Sequence, residues 1–313
     1  MQISNGVKFQ ENVPLKKYTT FKIGGPTRYF FIAKTKQALL KAVKEAGKRQ
    51  LPLFILGGGS NLLVSSKGFK GLVIKIENCK LKIENCKIVA EAGTSLSQLV
   101  NFALKNGLTG LEWAAGIPGT VGGAVFGDAG AFSKSMRDVI SSVEIFDAKR
   151  NLIRKLKNKE CRFGYRQSIF KTLHQSKARC RTGPEPKQSF WFRENPNFII
   201  LSCELKLNKR DKSEIKKEMR GYLDYRDIFH PKTPSAGSIF MNPRGYAARE
   251  LIDICGLKGK RIGGAQISHL HSNFIVNLGK GTSQNVLDLI KLIKKTVSRK
   301  FKIKIKEEII VLE

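Results

Sequence analysis

A chain of 313 residues with 41% hydrophobic content is long enough for two or three packed domains and too apolar for a disordered polymer. No apolar run approaches the roughly 18 residues of a membrane span, and the start, Met-Gln-Ile-Ser-Asn-Gly, lacks a basic-then-apolar leader pattern, so a cytoplasmic protein without membrane contact is expected. Lys and Arg number 57 against 25 Asp and Glu, a net charge of +32 that admits a nucleic-acid partner through counterion release, yet the lysines are dispersed and alternate with apolar residues as solvated faces do. The charge therefore reads as compositional, with attraction of an anionic substrate as a secondary benefit.

In chain order, residues 36–50 read as a helix capped by Thr35, with Leu39, Leu40, Val43 and Ala46 on one face. A strand Leu53–Leu56, a run of three glycines and a strand Leu72–Ile76 follow. The segment KIENCK at Lys75–Lys80 recurs at Lys82–Lys87, which predicts two similar short strands lying close together. Ser95 to Asn106 is a second helix, ended by Gly107. Shorter strands around 139–207, an unassigned polar insertion at 174–197 and a charged linker at 208–213 come next. Helices at about 213–226, 245–256 and 283–300, a strand Phe274–Asn277 and a final strand Phe301–Leu312 complete an α+β pattern.

Six cysteines, Cys79, Cys86, Cys161, Cys180, Cys203 and Cys255, form no C-x-x-C pair and no zinc spacing, which predicts free thiols. His269 and His271 lack a nearby third ligand, so no metal site is predicted.

Two glycine-rich segments carry chemistry: Gly57-Gly58-Gly59-Ser60-Asn61 and Ile117-Pro118-Gly119-Thr120-Val121-Gly122-Gly123. Glycines allow backbone N–H groups to approach a ligand, and consecutive N–H groups form an anion nest. The spacing is neither G-x-G-x-x-G nor a Walker loop. Downstream, the turn Pro234 to Pro243 holds Ser238 with no His-and-acid pair nearby, which suits proton donation better than acyl transfer.

These segments, with Thr20 to Pro26, Phe163-Gly164-Tyr165-Arg166-Gln167-Ser168 and Ile262 to Ser268, occur in an order that resembles the UDP-N-acetylenolpyruvoylglucosamine reductase (MurB) family over nearly the whole chain. The resemblance implies a two-part FAD-binding domain of the vanillyl-alcohol-oxidase-like type plus a C-terminal α+β substrate-binding domain: 1–75 with 302–313, 76–207, and 208–301. It implies non-covalent FAD held by Gly57, Gly58, Gly59, Ser60, Asn61, Ile117, Pro118, Gly119, Thr120, Gly122, Gly123, Ala129 and Gly130. NADPH is the implied co-substrate and UDP-N-acetylglucosamine enolpyruvate the substrate, with hydride going to the distal enolpyruvyl carbon.

By the same resemblance Ser238 gives the proton, and Arg166 and Glu308 polarise the carboxylate, with Glu307 open as the alternative to Glu308. Tyr165, Arg226, Asn242, His271 and Asn273 are implied substrate contacts, and the chain is of the shorter type lacking a tyrosine-bearing insertion. A monomer without nucleic acid is expected. The chain departs from the family pattern with Asp128 for Asn, Met241 for Lys, His269-Leu270 for Glu-Lys and Glu313 for Gly. The competing functions are another FAD-dependent oxidoreductase of the same fold, or a basic nucleic-acid-binding protein without a cofactor.

Overall fold

The computed structural model describes residues 7–171 and 196–313. The chain divides into two compact units: one takes the N-terminal residues to Glu11, Tyr29–Gly58 and Gly71–Leu223, and the other Asn12–Arg28, Gly59–Lys70 and Asp224–Glu313. The division falls inside the helix Lys212–Phe229, whereas Asn208–Lys209, read as linker, forms a short strand on Leu108–Thr109. Most of the polar insertion expected at 174–197 lies outside the described residues.

In the first unit the helix is Lys36–Lys48, and the Thr35 side chain accepts the Ala38 N–H at 3.1 Å, as its N-cap sequence predicts. Leu39, Ala42, Val43 and Ala46 are its buried residues; Leu40 stays half-buried. Leu53–Leu56 lies parallel to Leu72–Lys75. The second helix is Leu96–Lys105, closed by a Ser95/Gln98 capping box and ended at Gly107, whose φ of +62° suits glycine.

An antiparallel five-stranded sheet runs in the order Leu152–Lys157, Ile140–Asp147, Phe198–Lys206, Lys87–Glu91, Leu81–Glu84. The repeated KIENCK does not give paired strands. Its first copy is the end of strand Phe69–Ile76 and the loop after it, and its second turns at Asn85, φ +54°, between the edge strand Leu81–Glu84 of the five-stranded sheet and its neighbour Lys87–Glu91. Identical hexapeptides diverge because different neighbours bury them, and tertiary packing outweighs local propensity.

The second unit has a four-stranded sheet in the order Ser235–Ser238, Phe274–Asn277, Ala265–Ile267, Arg261–Ile262. Its helices are Ala248–Ile254 and Ser283–Phe301, the latter burying Val286, Leu289, Ile290, Ile293 and Val297. The predicted last strand, Phe301–Leu312, is not one element. The helix runs to Phe301, Lys302 reverses the chain with φ +61°, and only Ile310–Leu312 is strand, parallel to Leu62–Val64. Among the described residues no helix is long and apolar enough to cross a membrane.

Candidate active site

In the first unit, strand Leu53–Leu56 delivers Gly57 and Gly58 onto the second glycine segment. A Cβ on Gly57 would lie 2.5 Å from Thr120 Oγ1, and one on Gly58 2.7 Å from Gly119 Cα. That segment is pinned on its other side: Leu96 N–H donates to Gly119 O (3.0 Å), Val121 N–H to Thr94 O (2.8 Å) and Gly122 N–H to Ala92 O (2.8 Å). Thr120 caps the helix Val121–Gly127, its hydroxyl accepting the Gly123 N–H at 3.4 Å. The sequence explains Gly57 and Gly58 by ligand approach; in the structure packing also demands them, Gly57 against the Thr120 hydroxyl and Gly58 against the Gly119 main chain. In the second unit Gly59, φ +63°, accepts the Thr20 N–H. The N–H groups of Gly57, Gly58, Gly59, Ser60 and Asn61, and of Gly119 and Thr120, donate to no described residue.

Arg166 sits at the tip of a tight turn in which Gly164 and Gln167 exchange N–H···O bonds of 3.0 and 2.9 Å. Its φ of +57° places a long side chain in the left-handed region, at a cost of roughly 1–2 kcal/mol. Non-glycine outliers of this kind cluster at functional sites. The guanidinium donates from Nη2 to Gly130 O (2.8 Å) and from Nη1 to Asp128 O (3.5 Å), and lies 5.7 Å from the Tyr165 ring centroid. Tyr165 is exposed.

Asp128 ends the helix Val121–Gly127 in the left-handed conformation, φ 44°. Its carboxylate turns to Arg137, accepting the backbone N–H at 3.0 Å with Nε at 3.6 Å. Burial pushes the carboxyl above its ordinary range, against the pull of Arg137. The carboxylate that stands here for the family's Asn is thus directed onto a cation.

In the second unit, Ser238 follows a β-bulge. Ser235 pairs with Val276 and Ser238 with Phe274, so one extra residue is accommodated at Ala236-Gly237, with Gly237 at φ +74°. Bulges re-aim side chains, and the half-buried Ser238 hydroxyl bonds to no described residue. Ile239, next in the chain, donates its N–H to Asn273 O and accepts the Glu308 N–H, both at 2.8 Å. Phe240 bridges Glu307, and Asn61 Nδ2 donates to Glu308 O at 3.2 Å while Asn61 O accepts the Ile310 N–H. Ser238 and Glu308 are thereby tied to one Ile239 backbone.

Glu307 points to the helix, its carboxylate 2.6 Å from Lys294 Nζ. A regular strand would put Glu308 on one face with Ile310 and Leu312; the buried residues are instead Ile309 and Leu312, because the strand starts only at Ile310. Asn273 has a different duty from the expected substrate contact: at 4% exposure its amide donates to Phe240 O and accepts from Phe240 N–H, both at 2.9 Å. Asn242 Oδ1 accepts the Ala248 N–H at 2.9 Å. Met241 joins the ladder through its N–H to Lys306 O.

His271 packs against Phe274 (ring centroids 4.7 Å) and His230 (5.6 Å). Burial, with Arg226 and Arg249 around His230 and with Arg249 and His230 around His271, lowers both imidazoles to about 4; Asp253 opposes this weakly at His271. A folded value below the unfolded 6.5 means that their contribution to stability is complete above pH 6.5 and is lost as pH falls through 4. Melting temperature is expected to drop between pH 6.5 and 4 by several degrees more in the wild type than in His230→Gln/His271→Gln. Parallel pH profiles for the two proteins would refute this.

Residues 230–312 match the family model for the C-terminal domain of UDP-N-acetylenolpyruvoylglucosamine reductase, and residues 27–154 match that for an FAD binding domain. Curated relatives include the UDP-N-acetylenolpyruvoylglucosamine reductase of Caldanaerobacter subterraneus subsp. tengcongensis, 39% identical over 96% of this chain and 93% of its own length. That of Alkaliphilus oremlandii is 39% identical over 95% and 90%. The chain belongs to the UDP-N-acetylenolpyruvoylglucosamine reductase family. The crystal structure of the Thermus caldophilus enzyme of this family (MurB) superposes with a TM-score of 0.78 at 34% identity, covering 98% of this chain and all of that one. The fold is accordingly the expected α+β pairing of an FAD-binding domain with a MurB C-terminal domain.

The donor set of the first unit fits the cofactor of the family: among the described residues the N–H groups of Gly57, Gly58, Gly119 and Thr120 are unengaged, and such backbone donors suit a pyrophosphate. Sequence reasoning missed two contacts. Asn61 was read only as a cofactor residue, yet its side chain holds the Glu308 backbone. Lys171, buried at 7% exposure, donates from Nζ to Arg166 O at 3.1 Å. The Asn61 bond joins residues 247 apart and leaves no local trace, whereas the Lys171 bond spans five residues and depends on the left-handed φ of Arg166, which residue type does not announce.

Proposed function

We propose that this chain reduces UDP-N-acetylglucosamine enolpyruvate to UDP-N-acetylmuramate at the expense of NADPH, with FAD as its non-covalent cofactor, in peptidoglycan precursor synthesis. The observation that carries it is the pairing of Ile239 with Glu308, which tethers a bulge-lifted serine hydroxyl and a carboxylate residue to one backbone segment. When bound, FAD takes hydride from NADPH and supplies it to the distal carbon of the enolpyruvyl double bond.

The residues of the chain deal with the rest. Hydride addition leaves negative charge on the adjacent carbon and its carboxylate. The Arg166 fork pairs with that carboxylate through two hydrogen bonds, and Glu308 assists the polarisation. Ser238 Oγ–H gives its proton to the adjacent carbon and is reprotonated from solvent. Backbone N–H groups of the two glycine segments bind the FAD pyrophosphate, with Ile117, Pro118, Ala129 and Gly130 beside the ring system. Tyr165, Arg226, Asn242 and His271 contact the nucleotide-sugar, while Asn273 supports the segment that bears Ser238. The domain division of the sequence reading, a monomeric state, a cytoplasmic setting and freedom from nucleic acid belong to the same proposal.

Purified protein should show a flavin band in the visible and oxidise NADPH in a strictly enolpyruvate-dependent manner. A colourless protein that does not take up added FAD would defeat the proposal. Glu308→Gln is expected to lower kcat by about 10²-fold or more. Glu307→Gln loses only the exposed pair with Lys294 and is expected to stay within about 0.5 kcal/mol of wild-type stability with its rate intact. Reversed effects on kcat would assign the role to Glu307.

A further inference from the structure

The turn that carries Arg166 is strained at one residue and braced around it. Phe163 and Phe170 flank it with ring centroids 6.5 Å apart, and the Ser168 hydroxyl donates to Phe126 O at 2.6 Å. Neither brace reaches the left-handed residue itself. Lys171 does: its side chain is buried, and its ammonium donates to the Arg166 carbonyl at 3.1 Å. Desolvating an ammonium is costly, so a lysine in this place requires compensation. A backbone carbonyl facing inward from the tight turn supplies part of it. If Arg166 relaxed to a right-handed φ, that carbonyl would rotate off Nζ. The bond therefore ties the lysine's burial to the Arg166 conformation. That conformation also sets which way the guanidinium leaves the turn, towards Gly130 O and Asp128 O.

We propose that Lys171 is a positioning residue for Arg166, holding it in the left-handed conformation from which its guanidinium serves the reaction. This rests on the role proposed above for Arg166 and adds a residue that acts only through it. The predicted signature is non-additivity. In the full-length holoenzyme, Lys171→Met should slow enolpyruvate-dependent flavin reoxidation by about 10- to 100-fold, the range expected for losing a charged hydrogen bond. Flavin content and the rate of flavin reduction by NADPH should be unchanged.

Arg166→Ala should be slower still, and Arg166→Ala/Lys171→Met no slower than Arg166→Ala alone. Should Lys171→Met lose its flavin or fail to fold, Lys171→Gln, which keeps a donor and drops the charge, takes its place in the same cycle. Multiplicative losses in the double variant, or a Lys171 variant as fast as wild type, would overturn the proposal. An Arg166→Ala enzyme with wild-type rate would instead remove the role of Arg166, so the two failures are distinguishable.

Discussion

Ser238→Ala is expected to leave flavin reduction by NADPH near the wild-type rate while slowing reoxidation by the enolpyruvyl substrate by about 10²- to 10⁴-fold, the usual span of a general-acid contribution. The reason is local. Ser238 sits just past the bulge, and its hydroxyl bonds to no described residue, so removing it costs the fold little. Alanine suits the same backbone, because the left-handed demand falls on Gly237 and not on Ser238. The ladder through Ile239 to Asn273 and Glu308 uses backbone atoms alone and survives the change. Ser238→Cys should recover part of the lost rate, since a thiol also donates a proton. Stopped-flow traces of the two half-reactions decide: equal losses in both would make Ser238 a structural support, and no loss in either would return it to an ordinary turn residue.

Gly58→Val should release FAD. A Cβ at this position would stand 2.7 Å from Gly119 Cα and 3.1 Å from Gly119 C, and main chain cannot move aside as a side-chain tip can. Gly119 is itself fixed, its carbonyl accepting the Leu96 N–H at 3.0 Å. The two glycine segments must then separate, and the N–H groups they present lose their common focus. Overpacking of this kind costs about 1–3 kcal/mol, which corresponds to FAD binding weaker by roughly 5- to 150-fold, and β-branching adds to it. Gly123→Ala is the matched control. Its Cβ would meet only Thr120 Oγ1 at 3.6 Å, an ordinary contact, and it lies in the first turn of a helix where alanine is favoured. Flavin content and far-UV circular dichroism of both variants settle the matter: stoichiometric FAD in a folded Gly58→Val protein would be incompatible with a fixed loop pair.

Much of this protein is determined by sequence alone. The Thr35 and Ser95 caps, the apolar faces behind them and Gly107 suffice to place two helices, because capping and amphipathic period are interactions within a few residues. The two glycine segments, the FGYRQS turn and the serine turn were legible as motifs for the same reason. What they do to one another was not. The packing of Gly58 on Gly119 and the Asn61 clamp on Glu308 each join segments whose relation no local pattern encodes, and the Lys171 bond, though only five residues long, depends on a left-handed Arg166 that its residue type does not announce.

The choice between two adjacent glutamates shows the limit most clearly. Period-two alternation needs a regular strand, and the chain from Lys302 to Ile309 is not one. The tertiary structure distinguishes their surroundings: Lys294, on the preceding helix, draws Glu307 outward, and the Ile239 and Asn61 bonds hold the backbone of Glu308 next to the segment that bears the serine. Side-chain direction there is set by long-range hydrogen bonds rather than by residue type, so it emerges only when the chain has folded.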